Sequence, residues 1–353
     1  MRTRIYLDYA SLTPIDKGVL RVTKKYSSEK YSNPSSLHAS GVVAQKALLD
    51  ARIRIAKVLH AHEDEIVFTS GGTESNRLVI ELAEGGQIVM GAIEHSSLVD
   101  APNTVHVSVD PSGVIDLEQL KSSITSETKL VSVMLVNNEI GTIEPLKEIA
   151  KIVRDFKKKN NSVFPLLHTD ACQAPLYIPL YIEQLGVDLV TLDGAKIYGT
   201  RGVGLLYVRR GLKVKRPGTE NLPGIMGFMY ALEKAEELRE KETMRVGELK
   251  KYFADELKKI IPDMKVNGTL ENSAPHILSV SIPNIDNEFF LLQLDAKGIE
   301  CSTKSACLRD EDESYVLKAI GADSKTSLRF SFGRGTTKGQ LRKVLKVIEG
   351  LRK

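Results

Sequence analysis

Cysteine is scarce in this chain, and its few cysteines form no CxxC pair. Cys172, Cys301 and Cys307 are an odd number of thiols in a sequence of 353 residues. This pattern argues against a disulfide framework and against a structural zinc site. We expect reduced thiols and no metal site, and one of the three cysteines is a candidate for chemical reactivity.

Long hydrophobic runs and an excess of one charge sign are also missing. No stretch approaches the ~20 apolar residues that span a bilayer, and residues 1–6 contain no apolar signal core. The 49 Lys and Arg residues against 45 Asp and Glu residues give a net charge of +4, which is too balanced for a dedicated nucleic-acid binder. We therefore expect a cytoplasmic protein that acts on small molecules or proteins, without membrane or direct nucleic-acid contacts.

What the sequence does contain is an alternation of β-rich and helical segments, typical of a mostly parallel sheet covered on both faces. The clearest helix is predicted from Pro145 to Lys159, where apolar residues recur at helical spacing. Several strands are continuously apolar, as buried parallel strands require. The predicted strands are Ile66–Thr69, Gln87–Ala92, Val105–Val109, Leu130–Val136, Phe164–Thr169, Leu189–Leu192 and Val203–Val208.

The pattern changes after Asn221–Pro223, where Gly227 to Ile261 is predicted as a long charged helix that passes from one domain to another. We place a large α/β domain at 15–226 and a smaller α+β domain at 1–14 and 227–353, in line with about two domains for this length. Four further elements are predicted in the tail: strands Ile277–Ile282 and Ser327–Phe332, and helices Glu288–Lys297 and Thr337–Leu351.

Polar residues follow three of the predicted strands. The loop from Phe68 to Asn76 contains Gly71-Gly-Thr73 and opens a helix, so its N–H groups and hydroxyl can hold a phosphate, although a simple glycine turn remains an alternative. Asp170-Ala-Cys-Gln173 and Asp193-Gly-Ala-Lys196 follow two more strands. Carboxyl ends of parallel strands meet at one crevice. A lysine, an acid and a phosphate loop at one crevice resemble a pyridoxal phosphate site, in which the lysine forms a Schiff base.

The chain as a whole resembles the cysteine desulfurases, in the class V aminotransferase group of fold-type I pyridoxal phosphate enzymes. The resemblance implies an α/β fold with a mostly parallel seven-stranded sheet in the large domain, plus a smaller α+β C-terminal domain. The matching motifs run in order along nearly the whole chain: Tyr6–Ala10, Asn33-Pro34, Thr69–Asn76, Glu94-His95, Asn137–Gly141, Asp170–Gln173, Lys196–Gly199, Ser305–Cys307 and Arg329–Arg334.

This resemblance implies roles for residues around the cofactor. Lys196 would carry the cofactor, Asp170 would pair with the ring nitrogen, and His95 would stack on the ring. Gln173 and Asn138 would support the ring oxygen. The phosphate would be held by Gly72 and Thr73, and by Thr219 of a neighbouring subunit, which implies a homodimer.

It also implies roles on the substrate side. Arg329, assisted by Asn33, would bind the carboxylate of L-cysteine, and an exposed surface arginine is the alternative reading. Cys307 would be the nucleophile that takes the sulfur as a persulfide while alanine leaves. The sulfur would pass to an acceptor such as an iron–sulfur scaffold protein, for cluster assembly or tRNA thiolation.

The sequence departs from the family pattern near the lysine and after Tyr207. Family members usually carry Ser-x-His immediately before the lysine, where this chain has Asp193-Gly194-Ala195, and a glycine-rich segment is absent between Tyr207 and Gly218. We expect Asp193 to lie near the cofactor phosphate. Two alternatives therefore stay open beside the desulfurase: a degenerate homologue that acts as a partner or scaffold, and a related enzyme such as a selenocysteine lyase. An aminotransferase is disfavoured by Cys307.

Overall fold

A seven-stranded sheet forms the centre of the structure, a computed structural model that describes residues 4–305 and 313–352. Its strands are β2 (Ile66–Thr69), β3 (Gln87–Gly91), β4 (Thr104–Val107), β5 (Thr128–Ser132), β6 (Leu166–Asp170), β7 (Leu189–Asp193) and β8 (Gly204–Val208). They lie in the order β2-β8-β7-β6-β5-β3-β4, and only β8 runs antiparallel to its neighbours. The predicted mostly parallel seven-stranded sheet is confirmed.

Both faces of this sheet are buried, which explains why its strands are apolar at consecutive positions. On β3, Val89 packs in one core while Ile88 and Met90 pack in another on the opposite face. The same division separates Val190 from Leu189 on β7. The two-residue period of a strand thus supplies side chains to both cores.

Helices cover the two faces of the sheet. The predicted helix at Pro145 is present as Leu146–Asn160, and Asn161 ends it in the left-handed conformation that often closes helices. The helices up to the end of the sheet are α1 (Lys17–Ser28), α2 (Ala39–Leu59), α3 (Gly72–Leu82), α4 (Ser96–Val99), α5 (Leu117–Ser123), α6 (Leu146–Asn160) and α7 (Ile182–Leu185).

One long helix, α8 (Leu222–Ile260), contributes to two separate hydrophobic cores. Asn221 caps its start by accepting a hydrogen bond from the N–H of Gly224. Its first third packs against the central sheet, and residues from Val246 onward pack in the second core. The helix begins five residues before the predicted Gly227. The domain division at residues 226 and 227 lies inside it and stays a prediction.

The second core is built around a three-stranded antiparallel sheet of β9 (Lys265–Val266), β10 (Ile277–Ser281) and β12 (Ser327–Ser331). A short parallel pair, β1 (Ile5–Tyr6) with β11 (Ile299–Glu300), brings the N-terminal segment beside it. The remaining helices are α9 (Asn287–Ala296), α10 (Tyr315–Ala319) and α11 (Lys338–Leu351). Each tail element predicted from the sequence is present within one residue at either end.

Within the described ranges, every helix is too short or too polar to cross a bilayer.

Candidate active site

The carboxyl ends of β2, β6 and β7 open onto one cavity of about 250 Å³. Gly72 begins α3 after β2, Asp170 ends β6, and Lys196 follows the end of β7 by three residues. These strands run in the same direction, so their ends meet at one edge of the sheet. Most of the predicted site residues line this cavity: Gly72, Thr73, His95, Asn138, Asp170, Gln173, Lys196 and Arg329.

Asp170 is almost fully buried, and both of its carboxylate oxygens accept hydrogen bonds. Oδ1 accepts from the backbone N–H of Cys172 at 3.0 Å, and Oδ2 accepts from Nδ2 of Asn76 at 2.9 Å. Asn76 was missed by the sequence analysis, although it lies one helical turn after Gly72 on α3. Its own Oδ1 is buried and, among the described residues, has no hydrogen-bond partner. Asn76 therefore fixes the acid and leaves an amide oxygen in the cavity wall.

Lys196 is held against the N-terminal segment of the chain. It ends the short 3-10 helix at 194–196, and its Nζ donates to the carbonyl oxygens of Ser11 at 2.5 Å and Ala10 at 3.2 Å. Both of these residues also line the cavity. The lysine is thus placed by two segments far apart in sequence, with its amine inside the cavity.

His95 caps the first turn of α4, and this role fixes its ring. Its Nδ1 accepts the backbone N–H of Ser97 at 3.2 Å and lies 2.9 Å from the Ser97 hydroxyl. A nitrogen that accepts an N–H carries no proton, so the neutral ring has its proton on Nε2. The ring lines the cavity in one defined tautomer.

Gln173 reaches the cavity, but both ends of its amide are bonded to the protein. Nε2 donates to the carbonyl oxygen of Ala10 at 2.9 Å, and Oε1 lies 3.1 Å from Nε2 of His276. Burial, together with the charges of Lys250 and Arg329, lowers the pKa of His276 to about 3, so the ring is neutral and donates to Gln173. The predicted bond from Gln173 to a ring oxygen requires it to exchange one of these partners.

Arg329 lies on β12 with only 2% of its surface exposed, which excludes the alternative of a surface arginine. Its Nη2 donates to Asp8 at 2.8 Å, and its Nη1 donates to the carbonyl oxygen of Asn138 at 2.8 Å. Its Nε is buried and lacks a partner within the described part of the chain. A buried guanidinium with one unused donor is suited to binding a carboxylate.

Asp193 occupies the start of α3, where an anion would bind. Its Oδ2 accepts from the backbone N–H of Gly72 at 3.1 Å, and its Oδ1 accepts from the N–H of Ala195 at 2.7 Å. Asp193 therefore lies beside the loop that the sequence predicts to hold a phosphate, and its position relative to the cofactor phosphate stays a prediction. The N-terminus of a helix attracts negative charge, and here the chain supplies its own carboxylate.

Two of the predicted site residues that the structure describes do not line the cavity. Asn33 and Thr219 are exposed, and Asn33 accepts a hydrogen bond from the N–H of Ser35. Cys307 lies outside the described residues, whose nearest member is Ser305, which does line the cavity.

The other two cysteines are poorly suited to act as nucleophiles. Burial and the nearby carboxylates of Asp170 and Asp193 raise the pKa of Cys172 well above its usual value. Burial and the charge of Asp8 likewise raise the pKa of Cys301. Because the thiolate is the reactive form, both thiols are held in their unreactive form at neutral pH.

Glu144 is a buried carboxyl whose ionisation is expected to change the free energy of unfolding. Burial raises the pKa of Glu144 from 4.5 to about 8, and its Oε2 accepts the N–H of Ile115 at 3.0 Å. The folded chain holds this proton more tightly than the unfolded chain, so ionisation costs stability as pH rises from about 5 to 8. We expect Glu144→Gln to be more stable than the parent at pH 9, by up to roughly 4 kcal/mol.

Urea unfolding at pH 5 and pH 9 measures this difference. The advantage of Glu144→Gln should be absent at pH 5, where the parent carboxyl is neutral in the folded state. The same substitution at exposed Glu148 is the matched control. An equal difference between Glu144→Gln and the parent at both pH values would contradict the prediction.

Comparison with known proteins shows that this chain is similar to one protein family and to individual named proteins. The aminotransferase class V family model matches residues 5–217 and 211–344. A protein named cysteine desulfurase IscS, from Dictyoglomus turgidum (strain DSM 6724 / Z-1310), is 38% identical, with 99% of this chain and 94% of that protein covered.

Solved structures agree with the sequence comparison. A structure titled NifS-like protein superposes with a TM-score of 0.91 at 32% identity and covers 99% of both chains. Another, titled SspA in complex with cysteine, superposes with a TM-score of 0.79 at 27% identity, covering 94% of this chain and 99% of that one. The similarity therefore extends over nearly the whole chain.

Proposed function

This chain belongs to the class V aminotransferase family and, within it, to the cysteine desulfurases, and from this premise we propose a reaction and its residues. L-Cysteine is converted to L-alanine, and the sulfur remains on Cys307 as a persulfide. The observation that carries the proposal is the meeting of Lys196, Asp170 and buried Arg329 in one cavity, in front of the first turn of α3.

The donor set of the cavity fits pyridoxal phosphate at its ring end. A buried carboxylate such as Asp170 suits a protonated ring nitrogen, and Lys196 supplies the amine that attaches the aldehyde. At the phosphate end, the N-terminus of α3 and the hydroxyl of Thr73 are suitable donors, although Asp193 now holds the N–H of Gly72. When bound, pyridoxal phosphate supplies an electron sink for the breaking carbon–sulfur bond.

Arg329 binds the carboxylate of the substrate in this proposal. Its Nε is buried without a partner among the described residues, and its Nη2 is paired with Asp8. A cysteine carboxylate satisfies Nε and competes with Asp8 for Nη2, which gives a two-pronged contact. Asp8 then acts as a placeholder that keeps the guanidinium oriented before substrate binds.

The sulfur transfer is a nucleophilic attack by the thiolate of Cys307 on the sulfur of cysteine. A sulfur–sulfur bond forms and the carbon–sulfur bond breaks, so its electron pair stays with the carbon. That carbon takes up a proton and becomes the methyl group of alanine. Nζ of Lys196 moves protons to and from the substrate carbons, and the ring of His95, oriented by Ser97, would help to hold the cofactor ring.

We also propose that the chain works as a homodimer and passes its sulfur to an acceptor protein. Several apolar side chains of α2 are exposed, which is consistent with cover by a second copy. Thr219 is exposed, as a residue that reaches into a neighbour's site would be. A sedimented mass of about twice 39.0 kDa tests the dimer. The exposed apolar residues of α2 are Val42, Val43, Leu49 and Ile53.

A non-catalytic role is the second candidate, favoured by the contact between Asp193 and Gly72. One experiment separates the two. The purified protein, loaded with pyridoxal phosphate, is given L-cysteine and a thiol acceptor, and alanine and sulfide are quantified. We expect equal amounts of both, and mass mapping of a reaction without acceptor should find the persulfide on Cys307.

Cys307→Ser is the matched variant for this experiment. It should bind cofactor and cysteine but carry no persulfide, because only the sulfur acceptor is changed. Absence of alanine from the loaded parent would favour the non-catalytic role, and a persulfide on Cys172 or Cys301 would overturn the assignment of the nucleophile.

A further inference from the structure

The turn at 137–141 contains a buried acid, Glu139, that has no role in the proposed reaction. Asn137 shapes this turn, because its Oδ1 accepts the N–H groups of Glu139 at 2.8 Å and Ile140 at 3.0 Å. The side chain of Glu139 is directed inward, with 3% of the residue exposed. Burying a carboxylate is costly, so its contacts indicate what it holds.

Glu139 contacts the chain on both sides of segment 306–312. Its Oε2 accepts a hydrogen bond from the hydroxyl of Ser314 at 2.6 Å. On the other side, the backbone of Ser305 lies close enough to the Glu139 carboxyl to lower its pKa. Ser305 and Ser314 are separated by eight residues that include Cys307, so one carboxylate ties together the two ends of the stretch that carries the nucleophile.

The same turn contacts the arginine assigned to substrate binding. The carbonyl oxygen of Asn138, the residue before Glu139, accepts from Nη1 of Arg329 at 2.8 Å. Burial raises the pKa of Glu139, while its bond with Ser314 and the charge of Arg329 act in the opposite direction. Asn138 therefore contacts the arginine assigned to substrate binding, and Glu139 contacts residues on both sides of segment 306–312.

We propose that Glu139 is a positioning residue that anchors Ser305 and Ser314 at the cavity, and so sets how readily the thiol of Cys307 reaches the substrate sulfur. Ser305 lines the cavity. This inference rests on the proposed role of Cys307 as the nucleophile.

The test compares Glu139→Ala with Glu139→Gln in the cofactor-loaded enzyme. Alanine removes both anchors, whereas glutamine keeps an oxygen that can accept from Ser305 and Ser314. We expect Glu139→Ala to lower kcat for alanine formation at least tenfold, with KM for cysteine within threefold of the parent. Glu139→Gln should recover kcat to within threefold of the parent.

Two further measurements separate positioning from a general loss of structure. The affinity for pyridoxal phosphate and the rate at which iodoacetamide alkylates Cys307 should both stay within threefold in Glu139→Ala, because the thiol keeps its reactivity and loses only its placement. Glu144→Gln, another buried acid near the same turn, is the matched control and should leave kcat unchanged. Ser314→Ala removes one anchor and should lower kcat by an intermediate factor, which keeps the test available if Glu139→Ala does not fold.

A kcat for Glu139→Ala within threefold of the parent would overturn the proposal. An equal loss of kcat and cofactor affinity in Glu139→Ala would also overturn it, and so would a kcat in Glu139→Gln no higher than in Glu139→Ala. If Glu139→Ala does not fold, an unchanged kcat in Ser314→Ala would overturn the proposal. Failure of the proposed function is a different result, since the parent itself would then form no alanine from cysteine.

Discussion

Lys196→Ala is expected to lose the visible absorption band of the lysine-bound cofactor and at least about a thousandfold in alanine formation. The amine of Lys196 is the one lysine nitrogen in the described cavity wall, where it donates to Ser11 and Ala10. Its loss removes both the covalent attachment and the group that moves protons on the substrate. A positioned acid–base group alone contributes ~10²–10⁴ in rate.

Borohydride reduction followed by peptide mapping measures the attachment directly. In the parent, the reduced cofactor should be found on Lys196, and in Lys196→Ala it should be found on no peptide in comparable yield. Lys151→Ala, on the exposed side of α6, is the matched control and should retain the band. A retained band and full activity in Lys196→Ala would show that the cofactor is carried elsewhere.

The sequence predicts the positions of Asp170 and Lys196 well because both depend on local pattern. Apolar runs identify β6 and β7, and the first polar residues after parallel strands lie at the ligand-binding edge. The same reasoning locates the loop before α3. Strand ends differ from the prediction by up to four residues, as at β5, which ends at Ser132 rather than Val136.

Contacts between residues distant in sequence could not be predicted in this way. Asp8 meets Arg329 across 321 positions, and His276 meets Gln173 across 103. Glu139 and Ser314 are 175 positions apart. No periodicity or spacing links such residues, because the packing of the second core against the central sheet brings them together. The motif residues of the site were therefore predictable, while the residues that orient them were not.

Asp193→Ser is expected to raise the affinity for pyridoxal phosphate. In the parent, Oδ2 of Asp193 accepts the N–H of Gly72 at the start of α3, which is the donor that a phosphate would use. Binding of the phosphate must displace this carboxylate or leave two anions close together. At ~4 Å and an effective dielectric constant near 20, one such pair costs about 4 kcal/mol, or about a thousandfold in affinity.

The expected gain lies between about tenfold and this limit, because the side chain can turn away from the phosphate. Cofactor titration followed by absorbance or fluorescence measures the affinity without requiring activity. Asp193→Asn is the matched control, since it removes the charge and keeps the size of the side chain. If charge is the cause, the asparagine and serine variants should bind the cofactor more tightly than the parent by similar factors.

The double variant, Asp193→Ser with Ala195→His, should bind the cofactor more tightly than either single variant, because it adds a second donor for the phosphate. The two positions are close together, so their effects need not add.

Without cofactor, Asp193→Ser should unfold at a lower temperature than the parent, since the carboxylate bonds to the N–H groups of Gly72 and Ala195 are lost. With saturating cofactor this order should reverse, because tighter binding stabilises the folded state by mass action. Unchanged or weaker cofactor affinity in the serine, asparagine and double variants would mean that Asp193 does not compete with the phosphate, and the contact with Gly72 would then serve only to cap α3.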